Sequence, residues 1–242
     1  MLAATEKIYP LLGQHQSGAR WCGDPENFPS GVKGPRGVLN FSPAWFQQGH
    51  EVTYFSLNID VRQLISIETV QPRPDVAAIF RQRDALEWLD HITESNSVLS
   101  AILAVIHPRL HKSGWETFNR LRQYTEIQPG DVLHQWTSIF NRVSVIVNRT
   151  TPAHQDSNTR KQWYDLLVTL GSYRNCNLNL PGVGVSLEYG PGTVVGLLGA
   201  TLEHEVPHFE GERVCYAYFM RDNVQEWAGV SGYTWMATEY YD

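Results

Sequence analysis

His154 and Asp156 stand two residues apart in the stretch NRTTPAHQDSN, directly after an apolar run and a proline. In extended backbone, side chains i and i+2 leave the same face, so an imidazole nitrogen and a carboxylate oxygen can reach one common point. Two histidines and one carboxylate on one face, with the remaining positions open, is the donor set of a non-haem Fe(II) oxygenase centre. One His-x-Asp alone is weak. With nine histidines, and aspartate at about one position in twenty of average sequence, one chance match is expected in roughly every two such chains.

A second imidazole must come from further along, and only His204 and His208 lie downstream of Asp156. His204 sits inside the strand-like run TLEHEV, whereas His208 follows Pro207 in what reads as the turn to the next strand. His204 is the expected third ligand. An iron with open positions also calls for an organic chelator and a cation to anchor it. Arg213, nine residues beyond His204 in GERVCYAYFMRDN, offers a guanidinium that grips a carboxylate bidentately. The bland alternative is a strand-end arginine paired at the surface with Glu210 or Glu212. By alternation Arg213, Cys215, Ala217, Phe219 and Arg221 share one face, and Val214, Tyr216, Tyr218 and Met220 share the other. Both faces are apolar enough that alternation leaves open which one is inward.

These residues need a scaffold. Residues 18–37 are dense in Gly, Pro, Asp and Asn, the chemistry of a loop. Short runs rich in Val, Phe, Tyr, Leu and Ile follow from Gly37 to Ile67, and EVTYFSLNID reads as a strand. Between Asp75 and Tyr124 the period turns helical. VAAIFRQRDALEWLDHI carries an apolar stripe through Ile79, Leu86 and Leu89, SNSVLSAILAVIH reads as a more buried helix stopped by Pro108, and SGWETFNRLRQY starts at a Ser113 cap. After Pro129-Gly130 the expected elements are strands: DVLHQW, RVSVIVN, DLLVTL, GVSLEY, GTVVGLL, TLEHEV and ERVCYAYFM. They are short and separated by turns, which favours a sandwich, barrel or jelly roll. The closing WAGVSGYTWMATEYYD reads as a strand or tail packed on the core.

Composition narrows the classes. The 242 residues are 42% hydrophobic and 12% aromatic, enough for a sizeable core. No apolar run approaches the roughly 20 residues that span a bilayer, and the N-terminus lacks the pattern of a signal peptide. Cys22, Cys176 and Cys215 form no CxxC pair, so neither a disulfide framework nor a structural zinc site is expected. Of the net charge of −6, nearly all falls in residues 125–242, with 7 basic and 13 acidic groups. Any surface for phosphate must therefore be local.

NRTTPAHQD, YGPGTVVGLLGATLEHEV and GERVCYAYFMRDNV together resemble the fungal branch of the TET/JBP family of 2-oxoglutarate- and Fe(II)-dependent nucleic-acid dioxygenases. The resemblance is specific over about residues 140–225 and extends in weaker form from Gly37. It implies an α+β fold, a double-stranded β-helix (jelly-roll) core with flanking N-terminal helices. The whole chain then forms one domain: a leading segment and loop over 1–36, strands and flanking helices over 37–128, and the jelly roll over 129–242. The resemblance further implies His154, Asp156 and His204 as ligands of Fe(II), Arg213 as the anchor of the 2-oxoglutarate distal carboxylate, and Arg149 as a second cosubstrate arginine. By the same analogy Asn158, Ala217, Phe219 and Arg221 line a base pocket. The implied reaction is stepwise oxidation of the methyl group of 5-methylcytosine in DNA, on a flipped-out base. The same iron site acting on N6-methyladenine, thymine or an RNA base, and a catalytically silent binding module, are the competing readings. Since the C-terminal half is acidic, Lys33, Arg36, Arg73, Arg81 and Arg83 in the front half are the expected phosphate contacts. A DNA substrate implies nuclear localisation.

Overall fold

The computed structural model describes residues 1–13, 24–46, 74–123, 131–157 and 159–240. The chain begins with helix α1 (Leu2–Ile8) and strand β1 (Gly37–Phe41), and continues into α2 (Arg83–His91), α3 (Thr93–Ile106), α4 (Pro108–Leu121) and the single turn α5 (Val132–Gln135). Eight strands follow: β2 (Arg142–Val147), β3 (Thr151–His154), β4 (Asp165–Arg174), β5 (Asn177–Leu180), β6 (Val185–Glu188), β7 (Val194–Leu197), β8 (His204–Val206) and β9 (Glu210–Phe219). A last helix, α6 (Asp222–Trp227), precedes an extended tail.

The strands form two sheets, ordered β1-β2-β9-β4-β7 and β3-β8-β5-β6, with antiparallel pairings throughout. With β1 set aside as an added edge strand, the eight strands switch sheet at each step except the β5–β6 hairpin, which is jelly-roll order. This is the expected α+β double-stranded β-helix, as two facing sheets rather than a closed barrel.

Alternation on β9 is resolved by what lies on each side. Val214, Tyr216, Tyr218 and Met220 join the large core beneath the helices. There the Tyr216 hydroxyl accepts from Trp88 Nε1 at 3.0 Å and lies 2.9 Å from Thr5 Oγ1, and the Tyr218 hydroxyl donates to Asn96 Oδ1 at 2.8 Å. Each buried ring contributes about 1.5–3 kcal/mol only because its hydroxyl is satisfied. Arg213 and Cys215 point the other way, between the sheets. The apolar cluster there is small, built on Tyr173, Cys176, Leu178, Tyr189, Val206 and Phe209. The fold's bulk apolar packing thus sits outside the jelly roll, and the polar side chains sit inside it.

Four local expectations need correction. DVLHQW is a helical turn, not a strand: Asp131 adopts a left-handed conformation (φ 53°), and its carbonyl accepts from His134 and Gln135 N–H, turning Trp136 into the core. Helix α4 starts at Pro108, capped by the His107 ring accepting from Leu110 N–H. Ser113 lies inside the helix and donates to Gln225 Oε1. Pro108 therefore opens a helix as well as closing one, its missing N–H costing nothing in a first turn. Helix α3 is buried on one side only, since Val98 and Val105 are 61% and 70% exposed. Strand β5, with sequence NLNL, carries asparagines that gave no strand signal. Leu178 and Leu180 turn inward while Asn179 Nδ2 donates to Glu205 Oε1 across to β8. EVTYFSLNID lies outside the described residues.

Candidate metal centre and cosubstrate pocket

Strand β3 is short because the chain must leave the sheet at once to carry Asp156 forward. His154 pairs directly with His204 on β8, and the register shifts between Thr151 and His154. Cross-strand pairing brings the two rings to 4.2 Å between centroids. His154 Nδ1 is 2.9 Å from the Pro152 carbonyl and His204 Nδ1 is 3.0 Å from the Leu202 carbonyl. Each carbonyl requires an N–H at Nδ1, which leaves Nε2 with its lone pair facing the partner ring's Nε2 and Asp156. Asp156 Oδ1 lies 3.5 Å from His154 Nε2, and Oδ2 lies 3.8 Å from His204 Nε2. The three ligand atoms fall within 4.8 Å of one another, the spread of a set that can close on one ion. His204 is 5% exposed, while His154 and Asp156 are half-buried, so the site opens to one side. His208, 65% exposed at its side chain, faces Glu210 and takes no part.

The two imidazoles differ in protonation. Burial pulls the His204 imidazole below its ordinary range, favouring the neutral ring. Burial pulls His154 down too, but the hydrogen bond and charge of Asp156 outweigh it and the net shift is upward. Burial raises Asp156, yet the His154 hydrogen bond and the charges of His204, His154 and Arg221 bring it below the usual carboxylate range.

Two residues outside the expected set crowd around Asp156. Its N–H donates to the Gly199 carbonyl at 2.9 Å. A Cβ on Gly199 would collide with Asp156 Oδ2 and stand 2.7 Å from Asp165 Oδ2, so only glycine leaves room for both carboxyls. Asp165, first residue of β4, is 3% exposed, and neither of its side-chain oxygens has a hydrogen-bond partner. Burial, reinforced by the Asp156 charge and only partly opposed by Arg221, pushes its carboxyl well above the usual range. An acid opening the otherwise apolar run DLLVTL was the one available hint.

Arg213 is 2% exposed, which rules out the surface pairing with Glu210 or Glu212; Glu210 instead accepts from Arg174 Nε at 2.9 Å. Its Nε donates to Thr169 Oγ1 at 3.1 Å, and its guanidinium carbon lies 5.1 Å, 5.8 Å and 6.0 Å from the rings of Tyr189, Phe209 and Tyr173. Among the described residues no carboxylate forms an ion pair with it, so this buried cation suits an anionic ligand. The Arg149 carbonyl is 3.5 Å from Arg213 Nη1, and the buried Arg149 charge bears on His154. Opposite Arg213 on β4 stands Gly171 (φ +124°), where any Cβ would strike the Glu212 carbonyl. Cys176 and Cys215, both buried free thiols, lie beside the guanidinium.

The remaining expected positions divide. Arg221 reaches the site, with Nη1 3.4 Å from the Ser157 carbonyl and its charge acting on Asp156 and Asp165. Phe219 and Ala217 are half-buried on the Arg213 face of β9. Asn158 and Arg73 lie outside the described residues. Lys33, Arg36, Arg81 and Arg83 are exposed and are not drawn to the metal centre. Arg36 rests 5.9 Å from the Phe28 ring centroid, and Arg83 pairs with Glu87 along α2 at 2.7 Å.

A jelly roll carrying two imidazoles, one carboxylate and a buried arginine defines the class: a mononuclear non-haem iron oxygenase scaffold. The chain belongs to the Tet_JBP family, described as the oxygenase domain of the 2OGFeDO superfamily, whose model matches residues 72–222. It is thus an oxygenase domain of the type that depends on Fe(II) and 2-oxoglutarate. Among solved structures it is similar to NgTET1 in complex with 5mC DNA, at 16% identity and a TM-score of 0.49, covering 72% of this chain and 64% of that one. The chain therefore spans a little under two thirds of the NgTET1 chain's length. A Cupin 2 conserved barrel domain protein from Salinispora arenicola is similar at 18% identity and a TM-score of 0.25, covering 36% of this chain and 70% of that one. No curated protein matches the chain. Among the described residues no helix is long and apolar enough to cross a membrane.

Proposed function

We propose that this protein oxidises the methyl group of 5-methylcytosine in DNA, in successive steps to the hydroxymethyl, formyl and carboxyl forms, acting in the nucleus on a base turned out of the helix. The observation that carries the reading is the convergence of His154, Asp156 and His204 within 4.8 Å in a chain of the Tet_JBP family. The similarity to a structure described as bound to 5mC DNA makes that base the first substrate to test.

In this reading His154 and His204 through Nε2, and Asp156 through a carboxylate oxygen, hold Fe(II). Fe(II) held there would let O₂ act as the oxidant, one oxygen atom entering the methyl C–H bond and the other entering succinate as 2-oxoglutarate loses CO₂. The protein's own work is placement and exclusion. Arg213 takes the distal carboxylate of 2-oxoglutarate, with Tyr173, Tyr189 and Phe209 keeping water from the pair and Arg149 alongside. Asp165, protonated, stands beside Asp156 without adding a second negative charge, and leaves the Asp156 carboxylate to the metal. Ala217 leaves space beside the site for the extruded base, whose unstacking costs a few kcal/mol. Phe219, Arg221 and Asn158 recover that cost.

Nucleoside mass spectrometry after incubation with Fe(II), 2-oxoglutarate and methylated oligonucleotides tests this. Hydroxymethylcytosine is expected. Product only from N6-methyladenine, thymine or methylated RNA reassigns the substrate. Absence of oxidation on every methylated oligonucleotide refutes nucleic-acid methyl groups as the substrate.

A further inference from the structure

Beyond the metal centre the same face carries a second arrangement, which joins the expected Phe219 and Arg221 to two residues, Trp45 and Arg142, that no expected contact includes. Arg142 opens β2 and pairs across the sheet with Phe219 on β9, so the two side chains are neighbours on one face. The Arg142 guanidinium carbon lies 5.4 Å from the Phe219 ring centroid and 5.7 Å from that of Trp45. Arg221, two residues beyond Phe219, places its guanidinium carbon 5.3 Å from the same Phe219 ring. Trp45, Arg142, Phe219 and Arg221 thus form a ladder of alternating rings and cations, all four half-buried. One end is Arg221, beside the Ser157 carbonyl and within electrostatic reach of Asp156. The other end is Trp45, whose backbone pairs with Asp75 at 2.9 Å and 2.8 Å, which anchors the outer rung.

We propose that this ladder is the docking strip for the nucleic-acid strand bearing the target base, with Arg142 contacting a backbone phosphate next to the extruded nucleotide. The inference rests on the nucleic-acid reading above and deepens it. Three observations carry it. A guanidinium beside two rings is held in place by them, and its planar fork is the shape that matches a phosphate. Alternating aromatic groups and fixed cations is the chemistry by which proteins hold unpaired nucleotides, rings meeting bases and cations meeting the backbone. The strip also puts two positive charges at the mouth of a site whose surrounding half of the chain is acidic, the local basic surface that a polyanion needs. Lys33, Arg36, Arg81 and Arg83 are spread over other elements and form no such continuous track to the metal.

The test is oligonucleotide binding by fluorescence anisotropy, without O₂ and with Fe(II) and 2-oxoglutarate present so that nothing turns over, across a salt series. Methylated duplex, single-stranded DNA and RNA are separate arms. Arg142→Gln is expected to weaken binding about 3- to 10-fold and to flatten the log Kd against log salt slope by about 0.7–0.9, the loss of one phosphate contact. Arg142→Lys, which keeps the charge, is expected to keep the slope. A slope for Arg142→Gln equal to that of the parent overturns the proposal. So does an equal loss in Arg142→Lys, which would point to a disturbed ladder rather than a lost charge. If the parent binds oligonucleotides but oxidises no methyl group, the substrate assignment fails while the docking strip stands. If it binds none, both fall.

Discussion

Gly199→Ala is the sharpest single test of whether Asp156 is set for a metal. The added methyl would lie inside contact distance of Asp156 Oδ2, 2.7 Å from Asp165 Oδ2 and 3.2 Å from Asp156 Cγ. Real Cβ atoms essentially never come within 3.0 Å of a neighbour, so the Asp156 carboxylate must swing away by on the order of 1 Å. Metal–ligand bonds tolerate about ±0.2 Å, so a displacement of that size removes the oxygen from the coordination sphere. Losing the orientation of a ligand typically costs about 10- to 100-fold in metal affinity, and that is the expected fall. Overpacking costs about 1–3 kcal/mol of stability, which leaves a folded protein to measure. Anaerobic titration with Fe(II), or with Mn(II) as a redox-stable substitute, gives the affinity, and circular dichroism checks the fold. Gly182→Ala is the matched control, because a Cβ there meets nothing within 4 Å. A folded Gly199→Ala protein with the parent's metal affinity would refute the assignment of Asp156 as a ligand.

Four further outcomes are expected. Metal at 100 times its Kd should stabilise the parent by about 2.7 kcal/mol in thermal unfolding, and His204→Ala should abolish that gain. Arg213→Lys loses the planar fork inside its aromatic enclosure, so the 2-oxoglutarate KM should rise about 10- to 100-fold in succinate-release assays; an unchanged KM would remove Arg213 as the anchor. Asp165→Asn should stabilise the metal-free protein increasingly as pH rises. The folded Asp165 holds its proton well above the usual range, whereas the unfolded chain releases it near pH 3.9, so Asp165 costs nothing below that value. Above it the native state loses up to about 1.4 kcal/mol per pH unit until the folded carboxyl also ionises. A Tm difference that stays constant between pH 5 and 8 would contradict this. Gly171→Ala, with φ +124° and the Glu212 carbonyl in the way, should lower Tm markedly while Gly190→Ala, in open space, does not.

The grouping of His154, Asp156 and His204 was legible because its signals are local: a two-residue spacing and a strand-like run around His204. Most strands of the jelly roll were legible by alternation for the same reason. DVLHQW misled because its apolar residues fit either period, and the left-handed Asp131 that starts the helical turn has no sequence mark as strong as glycine. Strand β5 was missed because asparagine is a poor strand former, and Asn179 finds its partners, Glu205 and Ser186, on the neighbouring strands. Gly199, Asp165 and Arg142 were out of reach for a different cause. Each matters through a contact outside its own local stretch, and only the acid that opens DLLVTL left a mark nearby.

Among the described residues two register pairs join β3 to β8, Thr151 with Val206 and His154 with His204, and the second is the pair of imidazoles proposed to hold the metal. An ion bound there would act as a clasp between strands fifty residues apart in sequence, doing for this end of the minor sheet what backbone hydrogen bonds do elsewhere. Amides of β3 and β8 should then exchange with solvent fastest when the clasp is open, so that loading the metal both arms the chemistry and fastens the edge that carries it.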